Sequence, residues 1–216
     1  MTRSLFRLAA STAALQLFCA TSGAAQRVTL SAVLASTSHE LLDQPFGPVL
    51  TLATPIGRRA DLAVMVGRLD SKTDGMGVVC GGLIDPSQCP SEPYSQKGRL
   101  SMVGIGGDVH LLSSRLASVA VQPMFLWGRA RTETNGNTTG NRLFSEKGQW
   151  GFSGGLEVRS FPSRRVPLGV VAGGTLGRLG PVKSDLLLDG YTPFDDWYTV
   201  RTAYIGLALQ WRRGRP

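Results

Sequence analysis

Apolar side chains fall on every second position in eight separate stretches of this chain, and a period of two dictates a β-strand with one apolar face. In residues 28–37, Val28, Leu30, Ala32 and Leu34 share a face, with Thr29 and Ser31 on the other. Residues 46–54 present Pro48, Leu50 and Leu52, and residues 60–69 present Leu62, Val64 and Val66. Residues 100–112 set Val103, Ile105, Val109 and Leu111 against Gly104, Gly106, Asp108 and His110. Residues 115–129 set Val119, Val121, Phe125 and Trp127 against Ser118, Gln122 and Gly128. Trp150, Phe152, Leu156 and Val158 in 150–161 oppose Ser153, Glu157 and Arg159. Leu168, Val170, Ala172 and Leu176 in 166–178 oppose Gly169, Gly173, Thr175 and Gly177. The last segment, 200–212, has Ala203, Ile205, Leu207, Leu209 and Trp211 opposite Tyr204, Gly206, Ala208 and Gln210. No run of about 18 apolar residues occurs, so the chain does not cross a membrane as helices.

The connections sharpen the prediction. Residues 38–45, 55–59, 70–99, 113–114, 130–149, 162–165 and 179–199 alternate between long and short. That asymmetry predicts an all-β fold: a closed, eight-stranded, antiparallel up-and-down transmembrane β-barrel with short periplasmic turns and longer outer loops. Closure removes the unpaired edge that hydrocarbon does not tolerate. A narrow barrel also needs small residues inside, which accounts for a chain of 27 glycines with many on the faces opposite the apolar ones. A soluble barrel would carry its charges on the outward face, whereas here they gather at turns, in loops or on the glycine-bearing face. Phe46, Trp127 and Trp150 fall at one end of their segments and Trp211 at the other, the positions of two interfacial aromatic girdles.

Residues 1–25 read as a secretory signal: Arg3 and Arg7, an apolar stretch over 8–20, then Ser22, Gly23, Ala24 and Ala25 before cleavage. Bulky Phe18 before Cys19 excludes lipoprotein processing. Residues 26–216 form the barrel domain. Export to an oxidising compartment makes Cys80 and Cys89 a disulfide pair within the 70–99 loop. The net charge of +8 does not mark a nucleic-acid surface, because the cations form no single stripe and export removes the substrate. Arg58, Arg59, Arg115, Arg164, Arg165, Arg212, Arg213 and Arg215 fall at the periplasmic end. Of the 15 acids, all but Asp61, Asp108 and Glu157 fall in long loops or at their edges. A dipolar barrel is expected, basic below and acidic outside, whose loop acids either gather divalent cations shared with lipopolysaccharide phosphates or simply keep the loops soluble.

The final strand, with Tyr204, Gly206, Leu209 and Trp211 at spacing polar, any, Gly, any, any, hydrophobic, any, aromatic, resembles the C-terminal signal read by the barrel-assembly machinery. With the strand order and loop asymmetry, the chain resembles small outer-membrane barrels of the OmpA transmembrane-domain, OmpX and OmpW type. Residues 212–216 depart from that pattern, which often ends at the aromatic residue. The resemblance implies an integral protein of the outer membrane with a structural or surface-interaction role. Its partners would be the surrounding lipid, lipopolysaccharide, the assembly machinery and an unidentified surface ligand. A narrow channel for ions or small apolar solutes, as in OmpW-like proteins, is the second reading, and a lipid A-modifying enzyme the third.

Candidate chemistry is sparse, and neither a catalytic, a cofactor-binding nor a metal-binding residue is assigned. Gly151-Phe152-Ser153-Gly154-Gly155 matches a nucleophile-elbow pattern, but that elbow needs a strand, a turn and a helix. Here the alternation continues through Val158, which leaves Ser153 mid-strand in the lumen, far from His110 along the barrel. Ser38-His39-Glu40 lies in a loop. Asp108, His110, Glu157 and Arg159 share a depth on the luminal face, and buried charges in a narrow barrel must pair, plugging it. Residues 132–141 read as a flexible loop, and the apolar residues among 185–197 as extensions of the flanking strands or, in second place, as an apolar contact patch.

Overall fold

The computed structural model describes residues 26–39, 42–78, 91–114, 116–140, 142–162, 167–181 and 196–211. Nine strands follow in order: β1 (Gln26–Thr37), β2 (Phe46–Pro55), β3 (Ala60–Val78), β4 (Ser91–Ser113), β5 (Ala117–Val121), β6 (Met124–Gly136), β7 (Arg142–Ser160), β8 (Leu168–Pro181) and β9 (Tyr198–Trp211). Every pairing is antiparallel. β1 pairs with β9 from Gln26↔Trp211 to Thr37↔Val200, which closes the sheet into a ring.

β5 and β6 are two halves of one stave. Val109↔Val121 and Gly106↔Met124 keep a single register against β4, and Leu156↔Val121 and Ser153↔Met124 do so against β7. The break falls at Gln122–Pro123, where proline has no N–H to give the ladder. Gln122 N still donates to Gly155 O at 2.9 Å, and Pro123 O accepts from Gly107 N at 3.1 Å. The expected eight-stranded up-and-down barrel is therefore what the chain forms, with one stave interrupted by a proline.

The outward face is the apolar one. Leu30, Ile105, Phe152 and Leu207 are each more than half exposed, as lipid-facing residues must be. On β4 the apolar stretch from Val103 to Leu111 is nine residues long, the ~9–11 that a tilted spanning strand needs. A bulge between His110 and Leu112 then turns Leu111 and Leu112 outward together at the periplasmic rim.

Beyond the membrane the chain departs from expectation. Residues 70–99 and 130–149 are mostly strand, not loop: β3 and β4 pair up to Val78↔Ser91, and β6 and β7 up to Asn135↔Arg142. Thr132 is buried within β6, which runs on to Gly136, and β7 begins at Arg142. Neither face of these extensions meets hydrocarbon, so no apolar alternation marks them, and the backbone ladder carries the strand. Trp127 and Trp150 consequently sit mid-strand, not at the strand ends. Cys80 and Cys89, residues 1–25, Glu40, residues 185–195 and residues 212–216 lie outside the described residues, and so do the expectations placed on them.

The outer tip is built on one carboxylate. Glu92, facing inward on β4, accepts from Thr138 N at 2.6 Å and Thr139 N at 2.8 Å, and from the Thr139 hydroxyl. Gly136 makes room for it: a Cβ there would lie 2.3 Å from Glu92 Oε1. Those donors, the Thr139 hydroxyl foremost, hold the Glu92 carboxyl below its ordinary value of 4.5. A depressed value means the contribution is present above the ordinary value and lost as pH falls through the folded one. The amide resonances of Thr138 and Thr139 are expected to titrate together with a midpoint below 4.5, and to lose that titration in Glu92→Gln.

Candidate functional site

Eight inward-facing side chains from six staves meet near the periplasmic end: Arg27, Asp61, Asp108, His110, Gln122, Glu157, Arg159 and Tyr204. Their placement follows from alternation, since inward positions oppose the apolar lipid contacts along each stave. Asp108, fully buried, is the hub. It accepts from the guanidiniums of both Arg27 and Arg159, and from Gln122 Nε2 at 2.9 Å. Arg159 also donates to Glu157, its neighbour two residues along β7. Arg27 reaches on to Asp61 at 3.0 Å, and His110 Nε2 lies 3.2 Å from that same carboxylate. Tyr204 OH closes the circuit, donating between Gln122 Oε1 at 2.6 Å and Glu157 Oε2 at 3.0 Å.

Asp108, Glu157 and Arg159 thus meet directly, while His110 joins through Asp61. Sequence reasoning misses Arg27, Asp61, Gln122 and Tyr204 as members of this cluster. Arg27 follows the expected cleavage site by two residues, and Tyr204 belongs to the assembly-signal pattern. Alternation is the signal that could find them, since both stand on inward positions of β1 and β9. Gly173 gives Tyr204 its place: a Cβ there would come within 2.6 Å of the Tyr204 ring and hydroxyl. Tyr204→Phe removes the shared donor from two buried acceptors and is expected to destabilise the barrel by about 1–3 kcal/mol. Gly173→Ala should shift the urea midpoint in detergent the same way, because its methyl displaces the ring.

Above this layer the lumen holds an apolar cluster, with Ser31, Thr175 and Thr202 beside it. Val33, Ala35, Val49, Ala63, Leu69, Leu100, Met102, Met124, Leu126, Ala130, Leu179 and Val200 form one buried cluster, into which Leu42 of the β1–β2 connection is fully tucked. Three facing methionines, Met65, Met102 and Met124, leave a cavity of about 70 Å³ between the two layers. The sequence hides this plug because β2 and β3 are apolar on both faces, so no alternation distinguishes Val49, Ala63 or Met65 from the lipid side.

Ser153 faces this cavity, while the His110 ring is held against Asp61. Ser38 accepts from Thr199 N at 2.9 Å, and His39 packs edge-on against Tyr198 at 5.2 Å. Among the described residues no group of three or more His, Cys, Asp and Glu is placed to hold a metal ion. On the outside, Phe46 and Trp127 are more than half exposed. Trp150 stacks with Phe125, Phe152 and Trp197, its ring 5.0 Å from that of Trp197, in an aromatic patch on the lipid face. Trp211 ends β9 opposite Gln26. Gly206 has a packing role of its own, since a Cβ there would lie 2.3 Å from Leu30 O.

No known family profile matches the chain, and no curated protein matches it. Solved structures do. Ail, the attachment invasion locus protein of Yersinia pestis, in complex with the heparin analogue sucrose octasulfate, is 10% identical with a TM-score of 0.53, over 88% of this chain and 99% of that one. A major outer membrane protein from Thermus thermophilus is 13% identical with a TM-score of 0.54, over 87% of this chain and 99% of that one. At such identities the likeness is one of fold. An exterior apolar to hydrocarbon, a closed ring of strands and this shared fold make the chain an integral β-barrel of the cell outer membrane.

Proposed function

We propose that this barrel is a non-conducting, non-enzymatic protein that braces the outer membrane and presents its extended strands as a surface for interaction. The observation that carries the reading is a lumen blocked twice, by the ionic layer around Asp108 and by the apolar cluster around Leu42, Leu69 and Leu100. An ion entering from either side would have to leave water for a file of Met, Val and Leu side chains. β9 serves as the strand the assembly machinery reads. Partners are the surrounding lipid, its lipopolysaccharide and a surface ligand, a role supported by the ligand-bound state of the similarly folded Ail.

Planar-bilayer recording tests this. The purified barrel is expected to give no reproducible openings, and Arg159→Ala is expected to stay silent as well, because the apolar cluster remains. Stable unitary steps in the unmodified protein would establish the channel reading, which the cavity beside Met65, Met102 and Met124 favours. Incubation with lipopolysaccharide followed by mass analysis is expected to leave every acyl chain in place.

A further inference from the structure

Four adjacent strands change character on their lipid-facing side in one step. The outward register row Val66–Val103–Trp127–Trp150 is apolar and aromatic. The next outward row is Arg68–Ser101–Arg129–Gly148, then Asp70–Arg99–Arg131–Glu146, then Lys72–Lys97–Glu133–Phe144. Each row is two residues, or about 6.6 Å, along the strand. The charged rows therefore stand directly above the aromatic boundary, at the headgroup level of the outer leaflet, and point at lipid instead of the lumen. Six cations against three acids leave an excess of +3 on these rows. On these rows the acids are outnumbered by cations, while five of the acids expected to make the outer end acidic, at positions 40, 85, 185, 189 and 195, lie outside the described residues.

The acids also organise the cations. Asp70 accepts from Arg68 Nε at 2.9 Å and from Arg99 Nε at 2.7 Å, fixing two guanidiniums side by side across β3 and β4. Glu146 takes Arg129 at 2.6 Å. Arg131 lies over the Phe144 ring at 4.5 Å, which holds its charge without neutralising it. Between them runs a groove of about 390 Å³ lined by Arg68, Lys72, Lys97, Arg99, Arg131 and Glu133 with Asp70. Arg68, Lys72 and Arg99 are 53%, 64% and 42% exposed as side chains.

We infer that this groove binds the phosphorylated headgroup of an outer-leaflet glycolipid directly, guanidinium and ammonium to phosphate, without a bridging divalent cation. The inference deepens the surface-interaction reading by naming one partner and its seat, and it rests on that reading. Charge complementarity supplies the attraction and the row of Trp127 and Trp150 sets the depth, with acyl chains lying along Val66 and Val103 while phosphates reach the groove. A soluble polyanion would meet the same charges without the apolar row beneath them.

Native mass spectrometry of the intact barrel in detergent, titrated with bisphosphorylated lipid A, tests the assignment. Retention of the bisphosphorylated lipid is expected to exceed that of its dephosphorylated form by roughly tenfold or more, and to persist in EDTA. Lys97→Gln/Arg99→Gln/Arg131→Gln should erase that preference. Arg178→Gln/Arg201→Gln, on β8 and β9 away from the groove, should keep it; heat-modifiable migration on gels confirms that both variants close. Equal retention of the two lipids, loss in EDTA, or displacement by free phosphate or heparin at concentrations that leave the apolar contacts intact would each overturn it. The bilayer recording is independent, so failure here leaves the non-conducting reading standing, and the converse.

Discussion

Asp108→Ala is expected to cost the barrel about 3–5 kcal/mol, the penalty for leaving a buried charge unpaired. Both Arg27 and Arg159 donate to this carboxylate, and all three side chains are buried. Removing it leaves two guanidiniums with only Asp61 and Glu157 to divide between them, and strips Gln122 Nε2 of its acceptor. The urea midpoint for unfolding from detergent micelles should fall, and the temperature at which the gel-shifted folded form disappears should fall with it. Glu157→Gln serves as the graded comparison: it removes one charge but keeps an acceptor for Arg159 and Tyr204, and should cost less. An Asp108→Ala barrel as stable as the parent would mean that the charges are solvated and the lumen wet.

Leu207→Arg is expected to be the second most damaging substitution, by about 2–4 kcal/mol, because it places a guanidinium on the lipid face near mid-membrane. Leu207 pairs with Leu30 on one side and Val170 on the other, so no polar outward neighbour is at hand. The same residue introduced at Ser36, outward on β1 near the outer rim, should cost about 0–1 kcal/mol. Unfolding from lipid vesicles measures both. Equal penalties at the two depths would place the hydrocarbon band elsewhere on the barrel.

What is legible in the sequence follows the solvent each face meets. Within the hydrocarbon, alternation identifies the staves, because a one-residue slip would turn every leucine inward. The β5–β6 stave reads as one strand, and Pro123 interrupts its ladder without changing its register. Above the membrane that signal vanishes, so 70–78 and 91–99 pass for loop although they pair residue for residue. Depth matching brings Asp108, Glu157 and Arg159 together, but Arg27 and Tyr204 come from the two ends of the chain, and only ring closure makes them neighbours. The apolar plug is illegible for the opposite reason: Met65, Met102 and Met124 carry no mark that distinguishes a lumen-facing residue from a lipid-facing one. The cationic rows are equally hidden, since their meaning lies in lateral register across β3, β4, β6 and β7.

The ionic layer has a further consequence for how the barrel is made. Its members come from β1, β3, β4, the Gln122 linker, β7 and β9, so no hairpin and no open sheet holds more than a part of it. Until β1 meets β9, Arg27 on the first strand and Tyr204 on the last stand on opposite margins of an unfinished sheet. The charges are then satisfied together, in the step that seals the seam. The layer acts as a latch: it penalises every partly zipped form and rewards only the finished ring, so that insertion ends all at once and is slow to reverse.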